Sequence, residues 1–498
     1  MQSTSVDGGQ RGIFPGGAKP VFDDGLLRAA PSSVGVDSDQ IIIFLDQLES
    51  AGLDVHSFML HRHGKVVAEG WRWPYRADRL RVLHSVAKSF TACAIGLAID
   101  EGLLSLSDQV VSFFPDEVPA DASEWLLAMT VRDLLTMRTG HASGVSGSVW
   151  RNIASSWTSE FFKIPLVCAP GTRYVYTSAA SYMLSAILTK ITGQTLHAYL
   201  KPRLFEPLDI RDERWSVGPD GVNPGGNGLT ARTADLLKLG LLHAQGGVWN
   251  GTQVLPARWA HDSTRAQGGP DSTYGYHWQI RPAGAYSAIG VFVQLVTVFP
   301  EHGATLAITA AIDKSATLLP YVQQYLVPAF LGAPILDAGA DGRLGQRLCV
   351  WQAEPLAPSA GYSDRQDAVA GNSYAIDPNA AGVESIRLAF ADDECRFRLT
   401  DANGSYEIRA GLGQWIESAT SMPGQDLHHG YTFDREPVVA TARWASANTL
   451  EMTWIFPQTA FKDTVVCIFD GDRVTVQRSV NVNSGLLHHP DLTGMVKR

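Results

Sequence analysis

Two rhythms of apolar residues divide the chain. Up to about residue 335, apolar positions recur mainly at helical spacing, interrupted by short runs of strand character. "DSDQIIIFLDQLESAGL" (37–53) begins with capping residues and continues as an amphipathic helix. "SFMLHRHGKVVAEGW" (57–71) predicts two strands around a turn at His63-Gly64. A helix rich in small apolar residues follows over 85–103 and stops at Gly102. "TVRDLLTMRTG" (130–140) and "SAASYMLSAILTKITG" (178–193) predict further helices, each closed by a glycine, and "TADLLKLGLLHAQGG" (233–247) another. Strand patterns return at "YGYHWQI" (274–280), "VQLVTVFP" (293–300) and "TLAITAAI" (305–312), before a helix over 315–332. Strands at both ends of a helical middle imply a sheet assembled from remote segments.

Beyond residue 335 the period shortens to two. "SIRLAFADD", "RFRLTDANGSYEIRAGLGQWI", "NTLEMTWIF" and "DTVVCIFDGDRVTVQR" alternate apolar and polar positions, with turns at Asp401–Gly404 and Asp470–Asp472. This predicts a separate all-β domain, a small barrel or a sandwich. "LDAGADGRLGQRLCVWQAEPLAPSAG" (336–361), rich in Gly, Ala and Pro, has the composition of a linker. The expected organisation is a flexible leader over 1–25, an α+β domain over 26–335 and an all-β domain over 336–498.

Composition narrows the function classes. With 498 residues the chain is long enough for two cores, and 45% apolar with 18% charged residues is ordinary for a globular protein. A formal net charge of −10 argues against nucleic acid or an anionic membrane as partner. No apolar run is long enough to span a bilayer. The first residues lack the charged-then-apolar pattern of a secretory signal. Five scattered cysteines without C-x-x-C fit reduced thiols better than a disulfide framework. A cytoplasmic location is therefore expected, or a periplasmic or secreted one if a signal has been removed.

The chemistry enters at "LHSVAKSFTACAIGLAIDEGLL" (83–104). Ser85 and Lys88 stand three apart, on one face of the first turn of an apolar helix. A serine hydroxyl needs a base to take its proton, and a lysine serves only if its pKa falls well below about 10.4. Burial lowers it, and the helix behind Ser85 supplies burial. The helix start would also place a backbone N–H beside the nucleophile. S-x-x-K by itself is a weak signal, since a helix cap beside a solvated lysine has the same spacing; Lys88 is the only lysine with a serine three before it.

The motifs around this pair resemble those of the serine hydrolases built on the penicillin-binding-protein and class C β-lactamase fold. The resemblance is greatest to the branch with 6-aminohexanoate-dimer hydrolase and related esterases. "SVAK", "TVRDLLTMRTG", "YTS", "FEPLDI", "GGNGL" and "GVFVQ" stand in that family's order across roughly residues 30–335. The resemblance implies an antiparallel sheet flanked by helices with a helical subdomain, followed here by a C-terminal barrel or lipocalin-like domain. It implies Ser85 as the acylated nucleophile, Lys88 as its proton acceptor and Tyr176 as the tyrosine of a Tyr-x-Asn motif that relays protons. Ser178 replaces the usual Asn. The third motif, K-[ST]-G or H-x-G in many relatives, is absent; Gly290-Val291-Phe292-Val293-Gln294 stands there. Gly290 would line the site, and the Val291 N–H would join the Ser85 N–H as the oxyanion hole. The cation that greets a carboxylate in β-lactam-binding relatives is missing, which favours a small-molecule ester or amide substrate, with no cofactor and no metal. An acyltransferase, or a non-catalytic binder of peptides or cell-wall fragments, would use the same fold; on any of these readings a homo-oligomer is open. A Ser-His-Asp hydrolase is disfavoured because no G-x-S-x-G occurs.

Weaker signals surround these. His141, after "MRTG", is a candidate substrate contact. Gly225, Gly226 and Gly228 predict a turn, near the site or purely structural. His84 packs or tunes the nucleophile. Tyr274, Tyr276 and Trp278 alternate as core positions of a strand, and Trp150 and Trp157 are candidates for a lid. His61 and His63 read as an exposed hairpin rather than metal ligands, and His488-His489 as a solvated tail.

Overall fold

Alternation with apolar residues on both faces produces a sheet buried on both faces. In β1 (Val55–Arg62), paired with β2 (Lys65–Trp71) as the predicted hairpin, every residue is buried. Ser57 Oγ meets Thr233 Oγ1 at 2.7 Å on one face, whereas Phe58 packs edge-on against Trp351 on the other. With β3 (Gln279–Ile280), β4 (Tyr286–Gly290), β5 (Gln294–Phe299) and β6 (Ala304–Ala310) they build a six-stranded antiparallel sheet, ordered β2-β1-β6-β5-β4-β3. The first and last thirds of this domain thus meet in one layer, as the scattered strand patterns implied.

The computed structural model describes residues 22–269, 272–431 and 434–497. Their contacts divide into two units. One comprises residues up to Gly144 with Ser156–Ala310 and Lys314–Ala353; the other comprises Val145–Ser155, Ala311–Asp313 and the chain from Glu354.

In the first unit, α1 (Ser38–Ser50) starts at Asp37, whose carboxylate accepts from the backbone N–H groups of Asp39 and Gln40. The helices α2 (Ala87–Asp100), α3 (Ser178–Thr192) and α4 (Thr233–Ala244) follow, near their predicted bounds. α4 covers one face of the sheet so closely that a Cβ on Gly240 would lie 2.6 Å from a Val296 methyl. That approach accounts for a glycine in mid-helix.

Several expectations change. The stretch 336–361 is not all linker: α5 (Ala338–Gln352) occupies most of it. Its glycines conceal a helical face of Ala340, Leu344 and Trp351, and buried Asp341 accepts from the hydroxyls of Ser32 and Ser38 at 2.6 Å each. The contact division therefore falls after Ala353 rather than after 335. The helix at 130–140 is only Val131–Leu135, because Met137 (φ 56°) and Gly140 (φ 86°) turn the backbone left-handed. The strand at 274–280 shrinks to β3, interrupted by His277 at φ 61°. Of the leader, residues 1–21 lie outside the described residues, and Asp24 is buried against Arg28 at 2.6 Å. His61 is buried, not exposed.

In the second unit the period-two segments become strands of a barrel. β7 (Ser373–Ile376), β8 (Val383–Ala391), β9 (Glu394–Asp401), β10 (Gly404–Leu412), β11 (Ile416–Thr420), β12 (Glu436–Ser446), β13 (Thr449–Ile455), β14 (Lys462–Asp470), β15 (Arg473–Val480) and β16 (Leu492–Val496) run in the order β10-β9-β8-β7-β16-β15-β14-β13-β12-β11. Contact of Gly411 and Leu412 with Thr441 and Ala442 joins β10 to β12 and closes a nine-stranded ring, with β11 prolonging the seam along β12. Phe397 and Trp454 meet inside at 5.3 Å. At one end buried Asp463 accepts from His428 and Arg478 at 2.7 Å each, and Arg478 also donates to the Pro423 carbonyl. His489 is not a free tail: its N–H bonds the Arg478 carbonyl at 3.0 Å, although His488 is exposed. Among the described residues no helix is long and apolar enough to cross a membrane.

Candidate active site

Ser85 lies in a single 3-10 turn, His84–Val86, that runs directly into α2. Nearly the whole circumference of α2 is apolar and buried, so Lys88, one turn beyond Ser85, is carried inside and is 2% exposed. Its Nζ lies 3.0 Å from Ser85 Oγ, 3.1 Å from Ser178 Oγ and 2.8 Å from the Gly226 carbonyl. No carboxylate is among these partners, so desolvation is uncompensated and lowers the lysine pKa to about 7.

The start of α3 supplies the second wall. Ser178 is its first residue, and Tyr176 just before it sets its ring under Lys88, with Nζ 4.9 Å from the centroid. Tyr176 is 38% exposed as a residue, yet its phenol is buried beside Ser85. Burial raises its pKa to about 12, partly opposed by the neighbouring Ser85. The glycine turn predicted at 225–228 reaches the site through its backbone: a Cβ on Gly226 would stand 3.2 Å from Lys88 Nζ.

The third wall comes from the sheet. Gly290 ends β4 against the backbone before the nucleophile, where a Cβ would lie 3.1 Å from His84 Cβ and 3.2 Å from Ser85 N. Glycine is required by that approach. The backbone at Val291 does not continue as a strand. Val291–Val293 forms a tight turn, with the Val293 N–H bonding the Gly290 carbonyl at 3.2 Å, and β5 begins only at Gln294. Phe292 (φ 61°) and Val293 (φ 65°) are left-handed, as is His84 (φ 49°), and the His84 and Phe292 rings meet edge to face at 5.4 Å. An apolar run reads as a strand; here Phe292 and Val293 are buried by packing around a turn instead.

Ser85, Lys88, Tyr176, Ser178 and Gly290 therefore converge, and Val291 opens the turn beside them. His141 is not brought in. It is 1% exposed, bonded to Thr139 Oγ1 at 2.7 Å and packed on Phe161 at 5.3 Å, and burial lowers its pKa to about 4. Tyr274 is a core residue whose ring stands 6.4 Å from that of Tyr176. Trp157 is buried against Tyr182 at 5.2 Å, not in a lid, and Trp150 is buried within the second unit. Sequence reasoning missed His277. Its backbone carbonyl accepts from Ser89, its Nε2 lies 3.1 Å from Ser181 Oγ, and burial followed by the nearby Lys88 charge lowers its pKa to about 3. No pattern in 274–280 distinguished it. Among the described residues no cluster of metal-ligating side chains occurs.

An antiparallel sheet between helices, with a serine and a buried lysine on the first turn of an inner helix, defines a domain of the β-lactamase/transpeptidase type. The chain belongs to the Beta-lactamase family, whose model matches residues 45–325. It is 23% identical over 303 residues to 6-aminohexanoate-dimer hydrolase of Paenarthrobacter ureafaciens, covering 55% of this chain and 77% of that protein. It is 31% identical over 180 residues to Esterase EstB of Burkholderia gladioli, covering 32% of this chain and 44% of the esterase. A solved structure from Bacillus anthracis, a candidate 6-aminohexanoate-dimer hydrolase by name, superimposes with a TM-score of 0.53 at 17% identity, covering 61% of this chain and 87% of its own. That likeness concerns the fold. The named relatives are hydrolases, and they include an esterase and an amide-dimer hydrolase.

Proposed function

We propose that this protein is a serine hydrolase that cleaves esters or small amides through an acyl-enzyme on Ser85. The observation that carries the proposal is the set of partners around Lys88. A neutral amine has two N–H donors and one lone pair. The Gly226 carbonyl can only accept, Ser178 Oγ takes the second N–H, and the lone pair is left for the Ser85 hydroxyl proton.

As Lys88 takes that proton, Ser85 Oγ bonds to the substrate carbonyl carbon and the carbonyl electron pair moves onto oxygen. The Ser85 and Val291 N–H groups stabilise this oxyanion. Collapse breaks the bond to the leaving alkoxide or amine, which receives the proton from Lys88 through the Tyr176 phenol. Water then enters by the reverse route: it gives a proton to the same pair and attacks the acyl carbon, and Ser85 leaves with its hydroxyl restored. The names of the family relatives support an ester or amide substrate. The absence of a lysine-bearing third motif at 290–294 disfavours a β-lactam, whose carboxylate would lack its cation.

Brief treatment with a fluorophosphonate, followed by peptide mass spectrometry, should find the adduct on Ser85. An unmodified Ser85 would mark a binding module instead. In a screen of p-nitrophenyl acyl esters, linear amides and a chromogenic cephalosporin, the esters and amides should be turned over faster; preference for the cephalosporin would reverse the substrate ranking.

A further inference from the structure

We propose that Arg81 and Gln294 form a buried brace that positions the Val291 N–H for the oxyanion; this rests on Ser85 being the acylated nucleophile. Gln294 is the first residue of β5 and is fully buried. An amide is a costly choice there unless its atoms are paired, and all of them are. Nε2 donates to the Ala310 carbonyl at 3.0 Å and to the Phe292 carbonyl at 3.4 Å, while Oε1 accepts from Arg81 Nε at 3.4 Å. Arg81 is itself 3% exposed. It donates to the same Ala310 carbonyl at 3.2 Å, contacts His56 Nδ1, and lies 5.0 Å above the Tyr75 ring. Tyr75 in turn stacks on His56 at 3.9 Å.

The topology of this network assigns its purpose. Arg81 stands four residues before Ser85, and Gln294 three residues after Val291. The two backbone segments that carry the oxyanion N–H groups are therefore fastened to each other and to one carbonyl at the end of β6. The bond to the Phe292 carbonyl fixes the peptide plane between Phe292 and Val293. This is the plane that must be held for both residues to keep positive φ, a conformation disfavoured for a phenylalanine and more so for a β-branched valine. Released, the turn would relax toward ordinary backbone angles and the Val291 N–H would rotate off the oxygen. Ground-state contacts of the substrate would be little changed, because the N–H matters most when charge has developed.

Gln294→Leu removes both donors and the acceptor at similar volume. With p-nitrophenyl butyrate it is expected to lower kcat about tenfold or more per fluorophosphonate-titratable site, with KM within about twofold. Gln294→Glu keeps the acceptor for Arg81 but loses the donor to Phe292; it should show the same split and serves if the Leu variant does not fold. Unchanged kcat per site, or equal loss in kcat and rise in KM, overturns the brace. If the unaltered protein is not labelled at Ser85, the underlying hydrolase reading falls and the brace with it. If it is labelled and only the variants fail to respond, the brace alone falls.

Discussion

The pKa of Lys88 is lowered by its buried position rather than by a partner. Holding its pKa at about 7 against 10.5 for a free lysine costs the folded protein roughly 5 kcal/mol at neutral pH. Because the folded value is the lower one, the folded state binds fewer protons between about pH 7 and 10.5. Stability therefore rises with pH across that window, and the penalty is complete below pH 7. Lys88→Met should remove the penalty and lose three hydrogen bonds of about 1 kcal/mol each. The expected outcome is a variant about 2 kcal/mol more stable by urea unfolding at pH 7 and roughly 1,000-fold or more slower on esters. A destabilised variant would show that the amine is held by its hydrogen bonds more than it is opposed by burial. The same value predicts that kcat/KM falls tenfold for each pH unit below about 7 and is level above it, since only the neutral amine accepts a proton. Tyr176, at about 12, adds no second limb in the neutral range.

Three elements make the site, and each contributes an end or a turn rather than its middle. α2 begins just after the turn that holds Ser85, α3 begins at Ser178, and the β4–β5 hairpin turns at Val291. Helix starts leave N–H groups without intrahelical partners, and tight turns hold backbone in unusual directions, so donors accumulate there. The fit between hairpin and helix leaves no space for a side chain at the contact. Gly290→Ala would drive its methyl into the Leu83 carbonyl and the backbone at Ser85. It should cost about 1–3 kcal/mol of stability and at least about tenfold in kcat, measured by thermal unfolding and ester hydrolysis. Wild-type kcat in this variant would show that the hairpin does not set the oxyanion geometry.

At the scale of the molecule, the two units hold separate cores, one around the six-stranded sheet and one inside the barrel. In the barrel, burial pushes the Asp463 carboxyl up, but His428 and Arg478 outweigh it and hold its pKa below the usual value. With the folded value below the unfolded one, this stabilisation is present at neutral pH and lost as pH falls through the folded value. Asp463→Asn leaves Arg478 without its counter-charge and should destabilise the barrel by about 3 kcal/mol. Scanning calorimetry should show one transition moved down at pH 7, with ester hydrolysis retained below that temperature. Loss of activity while the barrel remains folded would show that the barrel serves the reaction.

Much of this was legible along the chain. The hairpin at 57–71, the long helices and the barrel strands follow from periodicity and caps, which act between neighbours in sequence. The spacing of Ser85 and Lys88 on one helical turn likewise needs only local geometry. Local pattern misled where tertiary packing overrode it: glycine-rich 338–352 became helix because Asp341 and Trp351 found remote partners, and apolar 291–293 became a turn because Gln294 and Gly290 anchor it. The sequence by itself determined the long amphipathic helices, the hairpin at 57–71 and the barrel strands, and which serine has a lysine one turn away. Only the tertiary structure decided that Gly226 and Ser178 complete the lysine's surroundings, that His141 is excluded, and that Arg81 meets Gln294. Those contacts join residues 90 to 213 positions apart, and no pairwise spacing encodes them.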